Sequence, residues 1–314
     1  MIRYIIRRVL SAIPVLMLVS ILAFVIIQLV PGDGASVIAG QDATVEEIQF
    51  VREQMGLDQP WPTRLLSWVS GLVQGDLGYS YILRQTVTEA IIERMPVTLS
   101  LAVLSIIFAT ILGVAIGVLA AMFHRTWIDS AAMSLSLVGV SVPNFWFGLV
   151  AILVFSVTLN WLPPGGFVPP TESIAGWLRS MALPTITLGT ATMGLISRFT
   201  RSVMLEQLDL DYVRTAKAKG LLQREVIGRH AFRNALLPIV TVVGTTFSLT
   251  MAGAIVIESV FALNGIGRLM LHAITRRDYV VLQGGLVFIA FSFVFINLLV
   301  DLLYSWLDPR VRYD

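Results

Sequence analysis

Eight of the 22 basic residues fall between Arg198 and Pro238: Arg198, Arg201, Arg214, Lys217, Lys219, Arg224, Arg229 and Arg233. Inside that stretch runs Asp209-Leu-Asp211-Tyr212-Val-Arg214-Thr215-Ala216-Lys217-Ala218-Lys219-Gly220. The chemistry it offers is non-covalent recognition. Acids open the segment and cations close it, the order that complements the positive start and negative end of a helix. Gly220 can take the left-handed conformation that ends such a helix. The pattern predicts one short helix here and a second from about Leu222 to Asn234, with Pro238 just inside the apolar run that follows. Retention of positive charge in the cytoplasm would by itself explain a basic loop. It would not require the small residues Thr215, Ala216 and Ala218, which fit a compact helix gripped by a soluble partner.

Other chemistry is hard to find. The chain has no cysteine, so disulfides, thiolate metal sites and cysteine nucleophiles are excluded. Its three histidines, His124, His230 and His272, have no metal-ligand spacing among them. There is no Gly-x4-Gly-Lys-Ser/Thr cradle for phosphates, and Gly265-Ile-Gly267 is too short to serve as one. Neither a Gly-x-Ser-x-Gly elbow nor a His-Glu-x-x-His helix occurs. The basic isoelectric point comes with no soluble basic module, so no nucleic-acid partner is expected.

The elements that must hold the docking segment are membrane spans. Of 314 residues, 56% are hydrophobic and 13% charged, against about 25% charged in soluble domains. The mean hydropathy is +0.81. The fold class read from this is an all-α integral membrane protein with six transmembrane helices and a small external domain between the first two. Residues 1–30 form a basic tail and first span; the apolar run Val9 to Val30 is too long for a signal-peptide core and is expected to be retained. Pro31-Gly-Asp-Gly34 breaks the helix, and 31–97 read as the external domain. There Thr44 and Glu47 make a capping-box pattern at the head of a helix reaching Met55.

Residues 98–307 carry the other five spans: Leu99 to Met122, Ala131 to Leu159, Met181 to Ser197, Leu236 to Ile257 and Val280 to Leu307. Gly113 and Gly117 in the second span would allow close helix approach. Ser141-Val-Pro-Asn144 interrupts the third, either as a pore-facing kink or as a packing kink. Asn160 to Ser180 is a loop flanked by Trp161 and Trp177, placed for an interfacial belt. The fifth span is rich in hydroxyls, Thr241 and Thr245 among them, for a neighbouring helix, a watery path or back-bonding. Glu258 to Tyr279 is external. Asp301, near the end of the last span, is expected to pair with an arginine or be hydrated, and 308–314 form a tail.

With both termini inside, the inner segments hold Arg3, Arg7, Arg8, Arg125, the eight residues above, Arg310 and Arg312. The remaining eight basic residues are external, four of them in the long external domain, which weighs little in orientation.

Arg214-Thr-Ala216-x-x-x-Gly220 followed by Arg233-Asn-Ala-Leu-Leu-Pro238 resembles the coupling loop of ATP-binding-cassette importer permeases. The likeness is to the dipeptide, oligopeptide, nickel and glutathione family, in its dipeptide permease B-like half. Pro31-Gly-Asp33, Gly56-Leu-Asp-Gln-Pro60, Gly75-Asp-Leu-Gly-x-Ser80, Phe261 to Arg268, Arg276-Arg-Asp-Tyr279 and Leu307 to Arg312 extend it along the chain. Against the general importer motif, Arg214 stands for a glutamate, Thr215 for an alanine, and Leu237-Pro238 comes five residues late, as is usual for the peptide branch.

The resemblance implies a type I importer permease without enzymatic activity, in the bacterial inner membrane, with both termini cytoplasmic. Its implied partners are a second homologous permease, two ATPase subunits that bind ATP and Mg, and an extracytoplasmic substrate-binding protein. No cofactor is implied in this chain. Asp211, Tyr212, Arg214, Thr215, Ala216, Lys217, Ala218, Lys219 and Gly220 would form the coupling loop, and Asn144, Thr241 and Thr245 are candidates for the translocation path. The competing reading is a secondary carrier, but the spans lack mid-membrane charge and the halves show no repeat. A membrane enzyme or electron-transfer subunit would need ligands that are missing here.

Overall fold

The computed structural model describes residues 2–29, 34–40 and 42–307. The Pro31-Gly-Asp33 break and the 308–314 tail lie outside the described residues, as do the side chains of Arg3, Arg7, Arg8 and Asp301.

Among the described residues the regular structure is helical except for one hairpin. In order come α1 (Ile2–Leu29), α2 (Gly34–Ala39), α3 (Val45–Gln54), α4 (Trp61–Val73), β1 (Tyr79–Ser80) and β2 (Gln85–Thr86). Then follow α5 (Val87–Met122), α6 (Trp127–Ser141), α7 (Asn144–Ala151) with a π-helical extension over Ile152–Thr158, and α8 (Ile174–Asp209). The last are α9 (Asp211–Ala218), α10 (Gln223–Glu225), a π-helical segment Val226–Phe232, α11 (Arg233–Val260), α12 (Ile266–Arg276) and α13 (Tyr279–Leu307).

Among the described residues, four helical stretches are long and apolar enough to cross a membrane: Leu10–Leu29, Val87–Met122, Gln223–Val260 and Tyr279–Val300. α6 and α7 with its extension pass together as a fifth but bend by 98° at the break. Val142-Pro143 sits in that break, where proline cannot donate to the helix and restricts the residue before it. The expected fourth span lies inside α8, whose 36 residues would reach about 54 Å. Threonines and glycines dilute its hydropathy.

Helix ends differ from the apolar boundaries. α5 starts twelve residues before Leu99 and contains Pro96, and α8 starts seven before Met181 and contains Pro184. Apolar composition marks where lipid lies, not where backbone hydrogen bonding stops. The predicted second short helix after Leu222 is not separate, because α10, the π segment and α11 run on as Gln223–Val260 with Pro238 inside. Glu258, which opens the stretch read as external, still belongs to the helix. It is the third residue from the end of α11, fully buried, and Thr98 Oγ1 donates to its Oε1 at 2.6 Å. Trp161 is exposed, whereas Trp177 packs against a core cluster.

Two compact units are delimited. The first comprises Met1–Pro96 and Gly265–Phe295. Its core is Val87, Ala90 and Ile91 of α5, Ile266, Leu269, Met270 and Ala273 of α12, and Val281 of α13. α3 and α4 bury no residue completely. The Thr44–Glu47 capping box is complete: the Thr44 backbone N–H donates to Glu47 Oε2 at 2.8 Å and the Glu47 N–H to Thr44 Oγ1 at 3.3 Å. Asp278 caps α13 by accepting from the Val281 N–H at 3.2 Å, and it also accepts the Ser80 hydroxyl from β1.

The second unit comprises Val97–Asn264 and Ile296–Asp314, and α8 is its central element, packed on α6, α7 and α11. The contacts are made by small residues. A Cβ on Gly117 of α5 would lie 2.5 Å from Ser197 O, and one on Gly194 would lie 2.4 Å from Ser136 O of α6. The outward stripe of α5, by contrast, is Leu99, Val103, Ile107 and Ile111, all exposed at a four-residue spacing. Large side chains outside and glycine inside is the pattern of a lipid-facing helix, since lipid is as apolar as leucine.

Candidate functional site

The segment Asp211 to Gly220 is built outward from the end of α8. α9 begins one residue after α8 stops, with Asp211 in its first turn and Lys217 in its last, the charge order that suits its dipole. Gly220 has φ +78°, the left-handed turn expected of it, and its N–H donates to Lys217 O at 2.9 Å.

The inner face of α9 is held by Val213 and Ala216, buried with Val226 of the π segment against Leu208 of α8. Tyr212 is half-buried and its hydroxyl donates to Gln207 Oε1 at 2.8 Å. Of the residues assigned to the coupling loop, Ala216 and Tyr212 thus turn inward and support the exposed face from behind. The reason is spacing: positions 213 and 216 share the one apolar face available to an eight-residue helix.

The outer face is Asp211, Arg214, Thr215 and Ala218, a continuous i, i+3, i+4, i+7 stripe, and all four are exposed. Lys217, Lys219 and Gly220 are exposed beside it. Arg214 Nη1 donates to Asp211 Oδ1 at 3.4 Å, with 71% and 96% of the two side chains exposed. Such a pair contributes roughly 0.3–0.5 kcal/mol at most, so both charges are available to a partner. Leu210, Leu221 and Leu222 are exposed at the two ends of the helix. The exposed stripe, two charged residues and two small ones, therefore runs between leucines at the two ends of the helix.

The path candidates are less concentrated. Thr241 Oγ1 donates to Leu237 O at 2.9 Å and Thr245 Oγ1 to Val242 O at 3.0 Å, each back onto its own helix. Thr241 is half-buried and Thr245 exposed, one turn apart on α11. Asn144 opens α7 at the 98° break, and no hydrogen bond joins it to either threonine among the described residues. Beside the break lies an open cleft of about 520 Å³ lined by Leu137, Val138, Ser141, Val142, Pro143, Phe145 and Trp146.

One cluster was not expected from the sequence. Asp129, in the first turn of α6, is 5% exposed. Arg201 of α8 grips it with a two-pronged fork: Nε donates to Oδ1 at 2.6 Å and Nη2 to Oδ2 at 2.7 Å. The Arg125 backbone N–H donates to Oδ2 at 3.1 Å, and His124 Nδ1 lies 3.1 Å from both Oδ2 and Arg201 Nη2. The signal available in the sequence was a lone acid just after His124-Arg125. Its partner lies 72 residues on. Arg201→Ala would leave this buried carboxylate with only the Arg125 N–H and His124 beside it, a loss of about 3 kcal/mol, at the low end for buried pairs because the arginine is partly open and these two contacts remain. A lowered melting temperature in detergent is expected, with most of it regained in the apolar pair Asp129→Leu/Arg201→Met.

Residues 113–313 match the family described as the binding-protein-dependent transport system inner membrane component. Residues 1–102 match the N-terminal part of the binding-protein-dependent transport system membrane component. The chain belongs to this family. The permease is 49% identical over 310 residues to a protein of Brucella abortus (strain 2308) that carries the name peptide transport system permease protein, covering 99% of each chain. It is 40% identical over 313 residues to the glutathione transport system permease protein GsiC of Escherichia coli (strain K12), covering all of both. In fold it resembles a chain of the MetNI methionine ABC transporter in an inward-facing conformation, with a TM-score of 0.55 at 16% identity. That match covers 69% of the permease and 96% of the other chain. It is a multi-pass membrane protein.

Proposed function

We propose that the permease forms, with a second homologous permease, the translocation path of an importer for peptides or a related small solute: a dipeptide, an oligopeptide, glutathione or a nickel chelate. Two separate ATPase subunits bind ATP and Mg and hydrolyse the nucleotide, so this chain is not itself an enzyme. An extracytoplasmic binding protein delivers the solute. Both termini are in the cytoplasm and the complex sits in the bacterial inner membrane. The names of the peptide and glutathione relatives support the substrate class.

The observation that carries the reading is the exposed stripe Asp211, Arg214, Thr215, Ala218 on a helix whose other face is packed onto the end of α8. An ATPase closing on nucleotide would move α9, and α8 would carry that motion toward the spans. Asn144, Thr241 and Thr245 are the proposed path residues.

A tagged permease, purified from native membranes in mild detergent, is expected to bring down an ATPase with a phosphate loop and a second permease. Solute uptake in right-side-out vesicles should then need internal ATP. Uptake by the permease alone, driven by an ion gradient without ATP, would establish the secondary carrier instead.

A further inference from the structure

The α6–α8 interface has an unusual texture. Gly194 packs on Ser136, Gly139 packs on Thr190, and the Ser136 and Ser197 hydroxyls meet at 2.6 Å. Such small residues let the two backbones approach closely, with a neutral hydroxyl pair between them. The Arg201 fork on Asp129 is of another kind. Its two charge-assisted bonds fix both separation and orientation of the groups they join, and Arg125 N–H and His124 hold the carboxylate from the α5–α6 turn. Arg201 is eight residues, about 12 Å along the helix, from the end of α8 where α9 is fastened.

We propose that Arg201, Asp129 and His124 act as a positioning clamp for coupling. They would make α9, the adjoining end of α8, the α5–α6 turn and the first turn of α6 one rigid body. Movement imposed on the exposed face of α9 then reaches α6, and beyond its 98° break α7, through a two-pronged charge-assisted link and not through neutral contacts alone. This rests on the reading of α9 as the ATPase-docking helix. Arg201 and Asp129 are positioning residues and touch no solute.

The test exploits the absence of cysteine. Trp127→Cys on α6 and Lys217→Cys on α9, both at exposed positions, take spin labels in the full complex in lipid nanodiscs. Their separation is measured nucleotide-free and after trapping with ATP and vanadate. With the clamp intact, one narrow distance is expected, the same in both states. In the Asp129→Leu/Arg201→Met background the distribution should broaden and shift on trapping while the ATPase still co-purifies, and Arg201→Lys, which keeps the charge but not the fork, should fall between.

A wild-type distribution in the apolar double variant would overturn the proposal, since the pair would then only be stabilising. So would a nucleotide-dependent change of distance in the intact protein, and that arm decides the matter even if the double variant does not assemble. Failure of any ATPase to co-purify with the intact permease would strike the docking reading instead. The width of the distance distribution in the permease alone, with and without the fork, would still report on the clamp.

Discussion

Gly117→Ala is expected to destabilise the permease, although alanine is the better helix former by about 1 kcal/mol. The added methyl would sit 2.5 Å from Ser197 O and 2.6 Å from Thr200 Cβ. The first of these is backbone and cannot rotate away, so α5 and α8 must separate. Overpacking of this kind costs about 1–3 kcal/mol or more, which outweighs the gain in propensity. Separation would also open the Gly113 contact one turn away, where Met193 O is 2.9 Å from a built Cβ. The expected result is a lower melting temperature in detergent for Gly117→Ala and loss of monodisperse protein for Gly117→Leu. Gly228→Ala supplies the opposite sign, because a Cβ there meets nothing within 4 Å. Equal stability of Gly117→Ala and Gly228→Ala would show that the helices do not approach this closely.

Gly220→Pro should abolish uptake while the protein still inserts. Proline is held near a φ of about −65°, whereas Gly220 has φ +78° and uses its N–H to bond Lys217 O. The turn must therefore reopen, and with it the packing of Val213 and Ala216 on Val226. The damage lies outside the spans, so membrane levels should hold. Uptake is expected to fall by more than about tenfold, equivalent to roughly 1.4 kcal/mol of misplaced coupling. Gly220→Asn, which tolerates the left-handed region, should keep most of it. Normal uptake by the proline variant would remove this turn from the coupling route.

These two glycines also show what a single sequence discloses. Gly113 and Gly117 were legible as a close-packing pair because small residues four apart share a helix face. What they pack against was not, since rotation of α8 about its axis leaves no trace in composition. Gly220 was legible because a glycine after a charge-ordered segment has a local reason to be there. Four of the apolar runs fall on helices long and apolar enough to cross a membrane, but local polarity concealed that α5 and α8 continue well past the runs they contain. The inward turn of Ala216 was not legible because small size suits both an outer stripe and an inner packing face, and its packing with Val213, Val226 and Leu208 distinguishes them. Asp129 and Glu258 were invisible as buried acids because each is satisfied by a residue far along the chain, Arg201 and Thr98 respectively.

Contact between α9 and an ATPase is the central claim, and a single thiol tests it. Ala218→Cys places that thiol on the exposed stripe of a chain that has no other cysteine. Crosslinking in native membranes, followed by mass spectrometry of the adduct, is expected to recover a protein bearing a phosphate loop. The yield should drop when nucleotide state or Gly220→Pro displaces the helix. Free labelling of the introduced thiol by a soluble maleimide in the assembled membrane, with no ATPase adduct, would contradict the docking claim and leave an ion-driven carrier as the better account.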